Sequence, residues 1–166
     1  MITLERLKER LSYDPETGEW RWKTARRKSL IGQVITHKEG SGYIQFPVEG
    51  KNYRASRLAW FYMTGEWPKG LVDHIDRDKT NDRWNNLRIA TRSENKANGK
   101  TYVNNKLGVK CVTKAKKCRS KPYRARINID GKAFHLGYFA TPDEANVAYL
   151  NAAKAGFGEF AYGGSS

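Results

Sequence analysis

The chain has 166 residues, enough for one domain or two small modules at about 150 residues per domain, and its 31 Lys and Arg against 17 Asp and Glu leave a formal charge of +14. With 12% aromatic residues and five tryptophans it carries too much bulky apolar side chain for a disordered basic tail, and the charge directs it to a polyanion, either nucleic acid or an anionic membrane surface. No stretch approaches the ~20 apolar residues of a membrane-crossing helix, and the charged start MITLERLKERL argues against a secretory signal.

In chain order, Leu4, Leu7 and Leu11 recur at helical spacing, and Tyr13-Asp14-Pro15 stops the helix they predict. Glu16-Thr17-Gly18 predicts a turn, and Trp20-Arg21-Trp22 a strand with both tryptophans on one face. Arg26-Arg27-Lys28 reads as a wet basic loop. Tyr43 to Val48 and Asn52 to Ala55, joined by Glu49-Gly50-Lys51, predict a hairpin in which Pro47 marks an edge strand. Ser56 is expected to cap a helix running from Arg57 through Met63, closed by Gly65.

Residues 71–98 crowd together polar groups capable of metal and proton chemistry. Leu71-Val72 leads into Asp73-His74, Leu87-Arg88-Ile89-Ala90 reads as a second strand after a polar loop, and Thr91 with Glu94 forms a capping box for a helix from Arg92 to near Gly99. Strand, long loop, strand and short helix would let His74 and Asn95 face one cavity. A histidine is a usable base near neutral pH, and one carboxylate with one amide suffices for a hard cation that keeps its waters. The structural alternative is that His74 and Asn95 satisfy buried backbone groups, while Asp76, Asp78 and Asp82 only keep a loop soluble.

The pieces Asp73-His74-Ile75-Asp76, Asn81, Trp84-Asn85-Asn86-Leu87-Arg88, Ala90-Thr91 and Glu94-Asn95 resemble the HNH endonucleases, in particular the phage and intron-encoded homing type. The resemblance implies a ββα-metal fold and a divalent cation, Mg²⁺ or Mn²⁺. It also implies roles by position: His74 as general base, Asp73 and Asn95 as metal ligands, and Asn86 tying the loop together behind the catalytic histidine. One departure stands out: in Tyr53-Arg54-Ala55-Ser56-Arg57-Leu58-Ala59-Trp60, Ser56 occupies a position where the family commonly has histidine.

Residues 95–129 carry 11 Lys and Arg and no Asp or Glu, a strip expected to face phosphates; the alternative is a solvated linker. Cys111 and Cys118 lie within it, lack a second pair for a zinc site, and read as reduced thiols of a cytoplasmic protein. Tyr123, Ala125, Ile127 and Ile129 alternate with Arg124, Arg126 and Asn128, which puts apolar groups on one strand face and donors on the other. Thr141, Pro142 and Glu144 open a helix whose Ala145, Ala148, Tyr149, Ala152 and Ala153 make a small-residue stripe expected to pack on the sheet. Together with Gly108 to Val112 and Lys132 to Phe139, these segments resemble the AP2 DNA-binding domain. That resemblance implies a three-stranded antiparallel sheet on one helix, its sheet laid in the major groove of DNA.

The expected architecture is therefore α+β: an HNH unit with N-terminal helix and hairpins over residues 1–99, a basic linker over 100–106, and an AP2-like module over 107–166. Lys110, Lys114, Lys116, Arg119 and Lys132 are expected to contact DNA, largely phosphates, with Arg124 and Arg126 reading base edges. His135, with no partner at ligand spacing, is expected to be structural. The function expected is metal-dependent cleavage of double-stranded DNA by a monomer, or by two copies that meet for a double break, with no obligate protein partner. The rivals are a catalytically impaired DNA-binding protein that keeps an HNH scaffold, and a junction nuclease acting on RNA or DNA.

Overall fold

The computed structural model describes residues 2–99, 107–115 and 120–162, which fall into two compact units, Met1–Ala90 and Thr91–Ser166. The first unit opens with helix α1 (Leu4–Arg10), whose first turn is capped by the Thr3 hydroxyl accepting from the Arg6 amide at 3.3 Å. The helix is shorter than its leucine spacing suggests. Leu11 leaves it to start strand β1 (Leu11–Tyr13), which pairs antiparallel with β2 (Trp20–Trp22), Leu11 opposite Trp22 and Tyr13 opposite Trp20. Strand pairing wins because it buries Leu11 and Tyr13 while keeping their backbone bonded.

Strands β3 (Gln45–Val48) and β4 (Lys51–Arg54) form the second hairpin. Its loop is the two residues Glu49 and Gly50, both at positive φ, 51° and 75°, and Lys51 belongs to the strand. Two positive φ values match the mirror-image turn that follows strand twist, so the tighter loop is preferred over the three-residue one. Helix α2 (Ala55–Thr64) begins two residues earlier than expected, because the Ala55 amide is satisfied by the Ile44 carbonyl at 2.9 Å. Ser56 therefore caps nothing; it sits in the first turn of α2, 3% exposed. Gly65 closes α2 in the left-handed conformation, φ 76°.

The third hairpin joins β5 (Leu71–His74) to β6 (Leu87–Ala90). The unit's core gathers Leu7, Leu11, Trp20, Phe46, Val48, Leu58 and Phe61 from α1, α2 and the first two hairpins, with Leu87 of β6.

The second unit begins with α3 (Arg92–Asn98), whose capping box forms as expected: the Glu94 amide donates to Thr91 Oγ1 at 3.2 Å and the Thr91 amide to Glu94 Oε2 at 2.7 Å. The unit boundary thus lies ahead of α3 and not after residue 99, because Ala97 is buried with Ile127, Tyr149, Ala153 and Phe157. The expected linker, 100–106, lies outside the described residues. Strands β7 (Val112–Lys114), β8 (Tyr123–Ile129) and β9 (Lys132–Phe139) form an antiparallel sheet with β8 central. Helix α4 (Pro142–Phe157) packs on it through Ala145, Tyr149, Ala153 and Phe157, a buried row at strict four-residue spacing, while Ala148 and Ala152 are half-buried.

Candidate active site

β5 carries Asp73 and His74 at its end, directly opposite Arg88 and Leu87 of β6. Arg88 Nε donates to Asp73 Oδ2 at 3.0 Å across the hairpin, which orients the carboxylate within the sheet. Asp73 is 6% and His74 4% exposed. The chain between the strands is organised by Asn86. Its amide nitrogen donates to Asp76 Oδ1 at 2.9 Å and to the Asn81 carbonyl at 2.7 Å, and its Oδ1 accepts from the Asp76 amide at 3.1 Å. Its carbonyl accepts from the Ile75 amide at 2.9 Å, so the backbone just after His74 is held from the far strand. Asn86 spends its side chain on the loop and none of it on a reacting atom. Burial by itself would raise the Asp76 carboxyl, but donors from Asn81, Asn86 and the Asp78 amide outweigh it and hold the group below the usual carboxylate range.

Sequence reasoning passed over one residue here. Asp82, read as a solubilising loop residue, is 2% exposed, and His74 Nε2 lies 2.9 Å from its Oδ1. Burial raises the Asp82 carboxyl above the usual carboxylate range, and the hydrogen bond shared with His74 offsets only part of that rise. The only signal in the sequence was an acidic residue eight positions after His74, and nothing local separates it from Asp76 and Asp78.

The family model for HNH endonucleases matches residues 53–97, which contain the β5–β6 hairpin and this site. Protein 3.8 of Escherichia phage T7 is 36% identical over 84 residues, covering 48% of this chain and 68% of that protein. The chain carries an HNH endonuclease domain. The "Uncharacterized HNH endonuclease L560" of Acanthamoeba polyphaga mimivirus is 36% identical over 98 residues, 58% of this chain, which spans about half (49%) of that relative. Among solved structures, one of the HNH homing endonuclease I-HmuI, described as showing DNA binding and cleavage, aligns with 26% identity over 58% of this chain and 55% of that one, at a TM-score of 0.43.

The HNH site offers a cation little protein ligation. One Asp73 oxygen already accepts from Arg88, and no group of three His, Cys, Asp or Glu able to hold a metal occurs among the described residues. Such a donor set does not make a closed four-ligand zinc site; it fits a hard cation that keeps its waters and takes substrate phosphate oxygens. Asn95, the second expected ligand, lies on α3 in the second unit, half-buried.

Two cationic side chains lie over the Tyr43 ring, which neighbours the histidine. The Tyr43 ring lies 5.8 Å from the His74 ring, with the Arg54 guanidinium 4.1 Å and Lys79 Nζ 5.0 Å from the Tyr43 centroid. Arg54 is also paired with Glu39 at 2.8 Å, and Lys79 donates to the Ser41 carbonyl at 2.9 Å, so both are held in place.

In the second unit, Arg126 is exposed and Arg124 half-buried on the sheet face opposite buried Ala125 and Ile127. Tyr138 stands opposite Arg124 and His135 opposite Arg126 on β9, their rings 4.9 Å apart. His135 is exposed on that face, its ring against that of Tyr138. Lys114 and Lys132 are exposed. Lys110 is committed elsewhere: its ammonium donates to the Lys96, Ala97 and Gly99 carbonyls at 2.9, 2.6 and 2.7 Å and closes the C-terminus of α3. Lys116 and Arg119 lie outside the described residues. No helix among the described residues is long and apolar enough to cross a membrane.

Proposed function

We propose that this HNH chain is a metal-dependent DNA endonuclease of the phage or mobile-element homing type, and that its second unit is an AP2-like module that grips and reads double-stranded DNA. The observation that carries the reading is the adjacent Asp73 and His74 at the end of β5, with the loop after them fixed by Asn86. His74 takes a proton from the attacking water. Asp73 would hold the divalent cation, Mg²⁺ or Mn²⁺, which would stabilise charge on the phosphate and the leaving oxygen; Asn95 is the second ligand that the HNH resemblance implies. Arg54 and Lys79 supply positive charge around Tyr43, next to the histidine's ring, which favours an approaching phosphate. In the second unit, Arg124 and Arg126 read base edges, and Lys114 and Lys132 hold phosphates; three antiparallel strands on one helix support the AP2-like reading. The protein works as a cytoplasmic monomer that nicks, or as two copies that meet for a double break.

Plasmid incubated with Mg²⁺ is expected to be cut and, with chelator, to stay intact, and sequencing the ends then shows whether the cut is at one site. DNA retained without cleavage at any divalent metal would instead favour the impaired DNA-binding protein.

The binding module makes a separate expectation. Lys114→Ala should weaken binding equally on all sequences and flatten the slope of log affinity against log salt by about 1. Arg126→Ala should cost about 1–3 kcal/mol on the preferred site and relax sequence preference. Competition titrations over a range of salt concentrations measure both, and equal losses for the two variants on every sequence would contradict the division of labour.

A further inference from the structure

We propose that Asp82 is a positioning residue for His74, and that the N-terminal β1–β2 hairpin holds it there, so that the working site extends beyond the stretch shared with the family model. The inference rests on the nuclease reading above but on different atoms.

The pair is buried on both sides, His74 at 4% and Asp82 at 2% exposed, with 2.9 Å between Nε2 and Oδ1. The second carboxylate oxygen, Oδ2, is buried with no hydrogen-bond partner among the described residues. A buried carboxylate with half its acceptor capacity unused is a poor structural staple, because desolvation outweighs a single bond. An amide or hydroxyl would link the same loop at lower cost. What a carboxylate adds is a charge aimed at the imidazole.

Its placement does not come from its own loop. The Tyr13 hydroxyl donates to the Asp82 carbonyl at 2.6 Å, and the Pro15 carbonyl accepts from the Trp84 amide at 2.9 Å. Gly18, at φ 76°, lies so close that a Cβ there would sit 2.5 Å from the Arg83 amide nitrogen and 2.6 Å from the Asp82 carbonyl carbon. The Tyr13 ring leans in turn on Trp20, centroids 4.9 Å apart. Three contacts from one hairpin therefore brace Asp82 and the two residues after it, Arg83 and Trp84.

The chemistry follows from the inventory of a neutral imidazole, which has one N–H donor and one lone pair. When ionised, the Asp82 carboxylate only accepts, which places the proton on Nε2 and the lone pair on Nδ1. The proton leaving water goes to Nδ1, Nε2–H stays on Asp82, and the imidazolium that results lies against a negative charge. Asp82 thus selects the basic nitrogen and stabilises the cation formed on it.

The test compares the intact protein with Asp82→Asn, Asp82→Ala and Tyr13→Phe in Mg²⁺-dependent plasmid cleavage, and reads the His74 tautomer by ¹⁵N NMR in each. Asp82→Asn, nearly isosteric, is expected to lower kcat at least about tenfold, and up to about ten-thousandfold where the tautomer is lost, with KM unchanged. Tyr13→Phe is expected to lower kcat several-fold, and it keeps the proposal open to refutation if the Asp82 variants do not fold. In the intact protein the proton should be on Nε2, and Asp82→Ala should mix the tautomers. A proton on Nδ1 in the intact protein, or kcat unchanged in both Asp82→Asn and Tyr13→Phe, overturns the proposal. Absence of cleavage by the intact protein overturns the nuclease reading instead, and the tautomer then still decides whether Asp82 orients His74.

Discussion

His74→Ala is expected to lower the rate of plasmid cleavage about a hundredfold to ten-thousandfold while DNA affinity stays at the level of the intact protein. The histidine ends β5 beside Asp73, and it is the one imidazole among the described residues that touches a buried carboxylate. Removing it takes away the proposed proton acceptor and leaves the exposed cations of the second unit, Lys114, Arg126 and Lys132, as they were. The substitution has a second consequence. Asp82 loses its hydrogen-bond partner in a buried setting, and the carboxyl is then driven further toward its neutral form. Some stability is lost with it, so His74→Gln, whose amide nitrogen falls near the Nε2 position and keeps a donor for Asp82, is the cleaner comparison. Both variants are measured in parallel by cleavage, by mobility shift and by thermal melt. Cleavage at the intact rate by His74→Gln would remove His74 from the chemistry.

Trp20→Ala is expected to destabilise the first unit by about 3–5 kcal/mol. The side chain is 1% exposed, and its ring meets those of Tyr13 at 4.9 Å, Tyr62 at 5.5 Å and Phe46 at 5.9 Å, so one indole ties β1, β3 and α2 together. Against a typical domain stability of 5–15 kcal/mol, the loss brings the unit near unfolding. Urea titration followed by tryptophan fluorescence measures it, with Trp20→Phe as the milder companion. A change below about 1 kcal/mol for the alanine variant would mean that the unit does not depend on this core. Because Tyr13 leans on Trp20 and holds Asp82, Trp20→Phe is also expected to slow cleavage under conditions where the protein remains folded.

The features legible in the chain were those set by neighbours three or four residues apart, or by alternation. Thr91 with Glu94, and Thr141 with Pro142 and Glu144, announce helices because a cap is satisfied within its own first turn. The β8 pattern predicts one buried and one open face because the strand repeat is two, and the structure buries Ala125 and Ile127 as that repeat requires. The Asp73-His74 pair stood out because the strand on either side of the polar loop could be read without the fold.

What the chain could not disclose are partnerships over long separations. Ser56 is a good capping residue by type, yet the Ile44 carbonyl reaches the Ala55 amide first. Lys110 is one lysine of a basic strip, and only the packed unit turns its ammonium onto three carbonyls of α3. Asp82 is one of three similar aspartates in a polar loop; what distinguishes it is Tyr13, 69 residues away, and His74 on a neighbouring strand. The sequence by itself determined the chemistry available at the end of β5 and the net charge of +14. Tertiary structure alone decided which carboxylate faces the histidine, because burial and hydrogen bonding depend on what the rest of the chain brings alongside and not on residue type.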